Sequence, residues 1–368
     1  PRDLEEALRL ARGNAALLTG DDETAIEDLE WVINTVADPA KIKYARDALA
    51  ISYLRQNRGS DALTILDEMT RTAQTREEEA DLLSRILDLY YDRDDYDEAL
   101  VIARRLLALE FVDEATPQRP FTLKEKALYL LGDVLLRQGD GDGAMAAFGQ
   151  LLDQYEGSLF EIPVRLNRAT HLFATGNLDG AVVAFEDLRT RGLDKEQAFS
   201  VNFYLANARY SLRQFEEAHR LFDELLTSDP NAPERADLLF GLAESKYQLG
   251  DFEQASAHYR QILAEFPNET SADDSQYNLA WCLIELGRED EAMAEFGRIL
   301  ENYPDSEFAA AAQFTFGDYA YNRQEYSEAL NAYQKVQEAY PDAPVAAQVP
   351  RLLDELKEAL AYQEYEKG

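Results

Sequence analysis

The side chains of this chain that could take part in chemistry are carboxylates, aromatic rings and little else. Aspartate and glutamate total 71, against 36 lysine and arginine, three histidines and one cysteine. Carboxylates so numerous can be paired in any arrangement, and no acid–base couple stands out from solvated helix faces. His171, His219 and His258 fall at unrelated positions of the sequence pattern and form no ring of imidazoles. There is no phosphate-cradling glycine loop, no cysteine–histidine metal spacing and no serine nucleophile elbow. Gly139-Asp140-Gly141-Asp142-Gly143 is glycine-rich and acidic, but it lacks the later ligands of a calcium loop and reads as a turn. Cys282 has no partner for an internal disulfide and reads as a small buried hydrophobe. Catalysis, a cofactor and a bound metal are therefore not expected. What does recur is a set of rings and acceptors. One row holds Tyr129, Leu166, Phe203, Phe240, Tyr277 and Phe314, each 37 residues after the last. Seven residues on, a second row holds Leu136, Phe173, Tyr210, Tyr247, Ile284 and Tyr321. Between them stand Asp133, Thr170, Asn207, Glu244, Trp281 and Asp318. Ring faces attract cations and supply apolar area, and carboxylates accept from amides, lysine or arginine. The chemistry on offer is recognition without bond-making.

The elements that carry these rows follow the same interval. Phe148, Phe185, Phe222, Tyr259, Phe296 and Tyr333 are spaced by 37, and an alanine precedes each by four residues. The alanine continues upstream at Ala99, Ala62 and Ala25, where Ala103, Leu66 and Leu29 replace the ring. The step from Ala99 to Ala144 is 45 residues, one repeat plus eight. Each unit reads as two helices. Within Ser271–Tyr303, Tyr277, Ala280, Trp281, Leu283 and Ile284 recur near the helical period, and Gly287 ends the run. Ala292, Phe296, Ile299 and Leu300 share one face of a second run, which Pro304 stops. A four-residue connector makes the two helices antiparallel, with Ala292 at their close crossing and Phe296 filling the space beside it.

The order Leu or Phe with Gly or Ala, then Gly-Asp-aromatic, Glu-Ala, aromatic and Pro resembles the tetratricopeptide repeat. Leu242, Ala243, Tyr247, Gly250, Asp251, Phe252, Ala255, Tyr259 and Pro267 carry it in one unit. Phe316, Gly317, Tyr321, Tyr326, Ala329, Tyr333 and Pro341 carry it in another. The resemblance is strongest from Phe121 to Pro341 and weaker before Leu109, and the usual tryptophan early in the first helix is absent. It implies an all-α, right-handed superhelical solenoid of nine helix hairpins. Residues 1–109 would hold three repeats and 122–345 six. The Pro-containing stretch 110–121 is expected as an elongated loop at the junction. Val349, Leu352, Leu353, Leu356 and Leu360 share one side of residues 346–368, which would cap the array.

In such a solenoid the first helix of each pair lines a concave groove. The resemblance thus makes Tyr129, Asp133, Phe173, Phe203, Asn207, Tyr210, Asp237, Phe240, Glu244, Tyr247, Tyr277, Trp281, Phe314, Asp318 and Tyr321 the candidate binding residues. An extended peptide or a segment of a partner protein suits them first, a sugar polymer second. The family's basic clamp for chaperone C-terminal carboxylates needs lysine, arginine and asparagine; here Asp133, Asp237, Glu244 and Asp318 stand in the groove, and Asn207 and Asn278 alone do not make a clamp. The function implied is a non-catalytic protein–protein interaction scaffold. The alternative is a polysaccharide-binding module of a polymer export system. The Tyr303-Pro304-Asp305-Ser306 junction resembles that of bacterial envelope members, namely the lipoprotein of the outer-membrane barrel assembly machine and the Tol–Pal accessory protein. That likeness implies a periplasmic or cell-envelope location, with the cytoplasm as the alternative. The chain starts at Pro1 without a leader, as a mature form or an excised piece would.

Net charge narrows the partners. At −35 the surface repels phosphate backbones and anionic membranes, which argues against nucleic acid, while a basic partner would be attracted. No apolar run has the length of a membrane span. Nine lysines against 27 arginines and the bulk acidity read as solubility or salt adaptation. Charges of one sign at this density repel each other, and screening shortens to about 3 Å in molar salt. The melting temperature is expected to rise between low and molar salt. A flat response in calorimetry would show that the charges are too dispersed to matter.

Overall fold

The structure, a computed structural model, describes residues 2–367. Its helices gather into two compact units, residues 1–171 and 172–368. The first unit holds α1 (Arg2–Thr19) paired with α2 (Asp22–Thr35), α3 (Pro39–Arg55) with α4 (Gly59–Thr72), α5 (Arg76–Asp92) with α6 (Tyr96–Ala108), and α7 (Leu123–Arg137) with α8 (Gly141–Gln154). The division falls within α9 (Glu161–Ala174). The second unit holds α10 (Leu178–Arg189), then α11 (Lys195–Ser211) with α12 (Phe215–Ser228), α13 (Arg235–Gln248) with α14 (Phe252–Glu265), α15 (Ala272–Glu285) with α16 (Glu289–Asn302), and α17 (Glu307–Asn322) with α18 (Tyr326–Ala339). A short 3-10 turn, Pro344–Gln348, leads into α19 (Val349–Lys367). The helix boundaries give the nine hairpins and terminal helix expected from the period, with no strand among the described residues.

Every hairpin closes the same way. The residue ending the turn out of the first helix is left-handed in all nine: Gly20, Asn57, Asp94, Gly139, Gly176, Arg213, Gly250, Gly287 and Gln324, with φ between 56° and 82°. Glycine reaches this region without a Cβ clash, and Asn and Asp tolerate it. Arg213 and Gln324 have neither advantage. The next residue starts the second helix. Asp21, Asp140, Asn177 and Asp251 accept there from a backbone N–H three residues on, which satisfies an orphan donor at the positive helix end.

The periodic rings form the core. Phe148, Phe185, Tyr259 and Phe296 have no exposed surface, and Phe222 and Tyr333 almost none. In the first three repeats Leu29, Leu66 and Ala103 take the same buried place. The facing residue of the first helix must be small. A Cβ at Gly317 would come within 2.4 Å of the Tyr333 ring. Within each unit successive hairpins share this core, because second helices pack on the following first helices, as α2 on α3, α12 on α13 and α14 on α15.

The 110–121 stretch is an ordered loop inside the first unit, and α6 packs on α7 across it. The Asp113 carboxylate accepts from the N–H groups of Leu123 and Lys124 at 2.9 and 2.8 Å, so the loop caps α7 from outside. Thr122 and Glu125 complete a capping box there. At the end of the chain Val349, Leu353 and Leu356 are buried against α18.

Replacing Arg213 or Gln324 by glycine removes the left-handed strain and is expected to stabilise the protein by about 0.5–1 kcal/mol per site. The same change at Asn57 should gain less. Urea denaturation midpoints that fall for both Arg213→Gly and Gln324→Gly would contradict this account of the turns.

Candidate functional site

The first helices of the second unit bring their rings and acceptors to one face. Phe173, Phe203, Tyr210, Phe240, Tyr247, Tyr277, Trp281 and Phe314 are all half-buried, and Tyr321 is exposed. Each ring is held by another. Tyr247 meets Phe252 and Tyr321 meets Tyr326, at centroid distances of 5.4 and 5.7 Å, so the upper row rests on the ring that opens the second helix. Phe240 meets Tyr259, Phe314 meets Tyr333, and Tyr277 meets both Trp281 and Phe296. The face is thus one side of the core itself, with ring edges showing.

Phe203, Asn207, Tyr210, Asp237, Phe240 and Glu244 converge on a pocket of about 260 Å³, joined by Phe222 and Gly241. Tyr247, Tyr277, Trp281, Phe314, Asp318 and Tyr321 do not line it. Tyr129 and Asp133 belong to the first unit. Tyr129 stacks on Phe160 at 4.9 Å. Asp133 accepts from the Tyr91 hydroxyl and from Arg137, both at 2.7 Å.

The carboxylates differ from the free acceptors that sequence reasoning expects. Glu244 accepts from the Tyr210 hydroxyl at 2.8 Å, the Tyr259 hydroxyl at 2.5 Å and the Asn278 amide at 2.9 Å. Those donors sit on α11, α14 and α15, so one side chain of α13 ties three neighbouring helices. Asp318 accepts from Tyr333 at 2.5 Å. Asn207 turns its amide N–H back to the Phe203 carbonyl, 2.8 Å away. Asp237 has no hydrogen bond or ion pair among the described residues. It lies at the exposed edge of the face, where partial desolvation, then the charges of Glu269 and Glu234, push its carboxyl above the usual range. Asp274, one repeat on, is raised in the same way by burial, Asp273, Glu244 and Glu307.

Sequence reasoning missed the phenol–carboxylate joints, although a signal was present. The periodic ring is tyrosine only at 259 and 333, and fifteen residues earlier stand Glu244 and Asp318. Before Phe185, Phe222 and Phe296 the same place holds Thr170, Asn207 and Trp281. The remaining acid, Asp133, precedes Phe148 and is taken by Tyr91 instead. Elsewhere the structure brings His219 and His258 into electrostatic contact despite their different positions within the repeat. Burial keeps both below the ordinary histidine value. Cys282 is fully buried, and its thiol is pushed up to about 12 by that burial and by the Glu244 charge. Among the described residues no group of three or more His, Cys, Asp or Glu is placed to hold a metal ion, and no helix is long and apolar enough to cross a membrane.

Family models of the tetratricopeptide repeat match residues 126–158, 166–233, 203–270, 246–314 and 311–343. Comparison with curated proteins finds no match. Among solved structures, a tetratricopeptide repeat protein from Parabacteroides merdae ATCC 43184 is similar at 17% identity, over 76% of this chain and 98% of that one, with a TM-score of 0.47. PilW, described as a widely conserved type IV pilus biogenesis factor, is similar at 16% identity, over 62% and 94%, with a TM-score of 0.46. MamA from Desulfovibrio magneticus RS-1 is similar at 13% identity, over 50% and 96%, with a TM-score of 0.43.

The joints should respond to alkali. Burial and the adjacent carboxylate raise the hydroxyls of Tyr210, Tyr259 and Tyr333 well above the ordinary tyrosine value near 10. A group raised on folding contributes stability that is whole below its unfolded value and is lost as pH climbs through the folded one. Stability is therefore expected to decline above about pH 10. Tyr259→Phe should cost roughly 1–3 kcal/mol at neutral pH, as for a hydrogen bond to a charged group, and should flatten the alkaline decline. Equal alkaline slopes for wild type and variant would remove Tyr259 from the explanation.

Proposed function

The chain belongs to the tetratricopeptide repeat family, with matches that together cover more than half of it, and we propose that it is a non-catalytic scaffold whose first-helix face in residues 172–368 holds an extended segment of a partner protein. The observation that carries this reading is the pocket between α11 and α13, where Phe203, Asn207, Tyr210, Asp237, Phe240 and Glu244 meet. Rings held edge-on by other rings are pre-organised, so a ligand orders few side chains on arrival. Half-buried tyrosines and phenylalanines in a row, with acceptors between them, suit side chains that leave an extended backbone at intervals. The finer setting, a bacterial envelope assembly, is supported by the Tyr303-Pro304-Asp305-Ser306 junction alone.

Selection of random dodecapeptides displayed on phage against the full chain tests the site. Peptides enriched on the wild type are expected to lose at least ten-fold in affinity with Asp237→Lys and Asp274→Lys together, and to keep it with Glu216→Lys and Glu217→Lys on the exposed side of α12. Circular dichroism should be unchanged in both. Binding that survives the first pair and disappears with the second would move the site to the other face. Enrichment of no peptide, alongside binding on a glycan array, would favour the polymer-export alternative.

A further inference from the structure

The α11–α13 pocket joins four rings, those of Phe203, Tyr210, Phe222 and Phe240, to the acceptors Asn207, Asp237 and Glu244, with no lysine or arginine in its lining. We infer that this pocket takes the cationic side chain of a lysine or arginine carried by the bound peptide, an inference that rests on the groove reading above. The charge balance is the first argument. Glu244 is saturated with hydrogen bonds, but all three donors are neutral, so its charge is held in place and left uncompensated. Asp237 faces Glu234 and Glu269, and Asp274 faces Asp273, Glu244 and Glu307, with no cation among the charges acting on either. Elsewhere in the chain two of the buried acids are matched by cations, while Glu125 is held by the neutral donors Thr122 and Ser158. Asp28 is bonded by Arg9 and Arg12, and Glu295 by Arg298. The cavity of about 750 Å³ in the first unit likewise carries Arg58, Arg85 and Arg93 beside its aspartates. An arriving ammonium or guanidinium would supply the positive charge that the lining of this pocket lacks.

The rings are the second argument. A cation is attracted to an aromatic face within about 6 Å of its centre, more strongly where water is displaced. Gly241 lets α13 approach so closely that a Cβ there would lie 2.6 Å from the Phe222 ring, and that ring becomes part of the pocket wall. Carboxylates at the lip and rings in the wall fit a long side chain with an apolar stem and a charged end.

Ligand-observed NMR on the full chain tests this with acetyl-arginine amide and acetyl-lysine amide as probes. Acetyl-citrulline amide serves as the neutral isostere of the first and glucosamine as a sugar cation. The arginine and lysine probes are expected to bind at least ten-fold more tightly than citrulline, to weaken at least ten-fold with Asp237→Asn, and to be unaffected by Glu216→Gln. Equal binding of citrulline, or cation binding untouched by Asp237→Asn, overturns the assignment. Glucosamine binding more tightly than either amino-acid probe overturns it in favour of a sugar. If displayed peptides still need the groove while the cationic probes do not bind, the pocket assignment falls alone. If the probes bind and no peptide is selected, the groove reading is the one that fails.

Discussion

A ring seated against a residue with little or no side chain, once every 37 residues from Phe148 to Tyr333, is the contact from which the packing of those six repeats follows. Phe148 lies over Gly132 and Tyr333 over Gly317, so close that even one methyl would collide. The closeness sets the separation of the two helices in a hairpin. The alanine four residues before the ring, buried in every repeat, does the same one turn away. With both distances fixed, the second helix presents its other side to the next hairpin, and within each compact unit the core passes from repeat to repeat without a centre. The left-handed residue in each turn matters only because this packing leaves no room for a wider connection.

The first-helix face therefore has two duties. Its rings are partly core, since each rests on a ring of the second helix. Its acids divide. Glu244, Asp133 and Asp318 receive phenol hydroxyls and act as joints, within a hairpin or between hairpins. The Tyr210–Glu244 joint spans 34 residues and the Tyr91–Asp133 joint 42, which is the same step with the eight-residue insertion added. Asp237 and Asp274 make no such joint. The face proposed for a partner is thus laid over the fastening of the repeats rather than built apart from it.

Much of this was legible in the chain. Period, helix pairs, turn glycines and the buried ring can be read from spacing, because they are local and recur along the chain, so an error at one repeat is outvoted by the rest. Arg213 and Gln324 show the same principle: nothing in their side chains announces a left-handed turn, but their place in the period does. The site was less legible. Rows of rings and acids can be assigned to the first helices from spacing, yet spacing alone does not tell a carboxylate that is spent on a tyrosine from one that is free. Glu244 and Asp237 look alike in sequence and differ only through the hydroxyls of Tyr210 and Tyr259, which arrive from other helices. The cap on α7 from Asp113 was hidden for the same reason, since it joins a loop of irregular sequence to a helix ten residues on.

The separation of joint from free acid has a bearing on how such a surface can diversify. Exchange at Glu244 would remove the three hydrogen bonds that join α13 to α11, α14 and α15, a cost that is the same whatever the ligand. Asp237 and Asp274 hold nothing else in place, and substitutions there would retune charge at the pocket while the array stays intact. A lineage built on this chain could exchange one partner for another through those two positions, with its architecture shielded from the search.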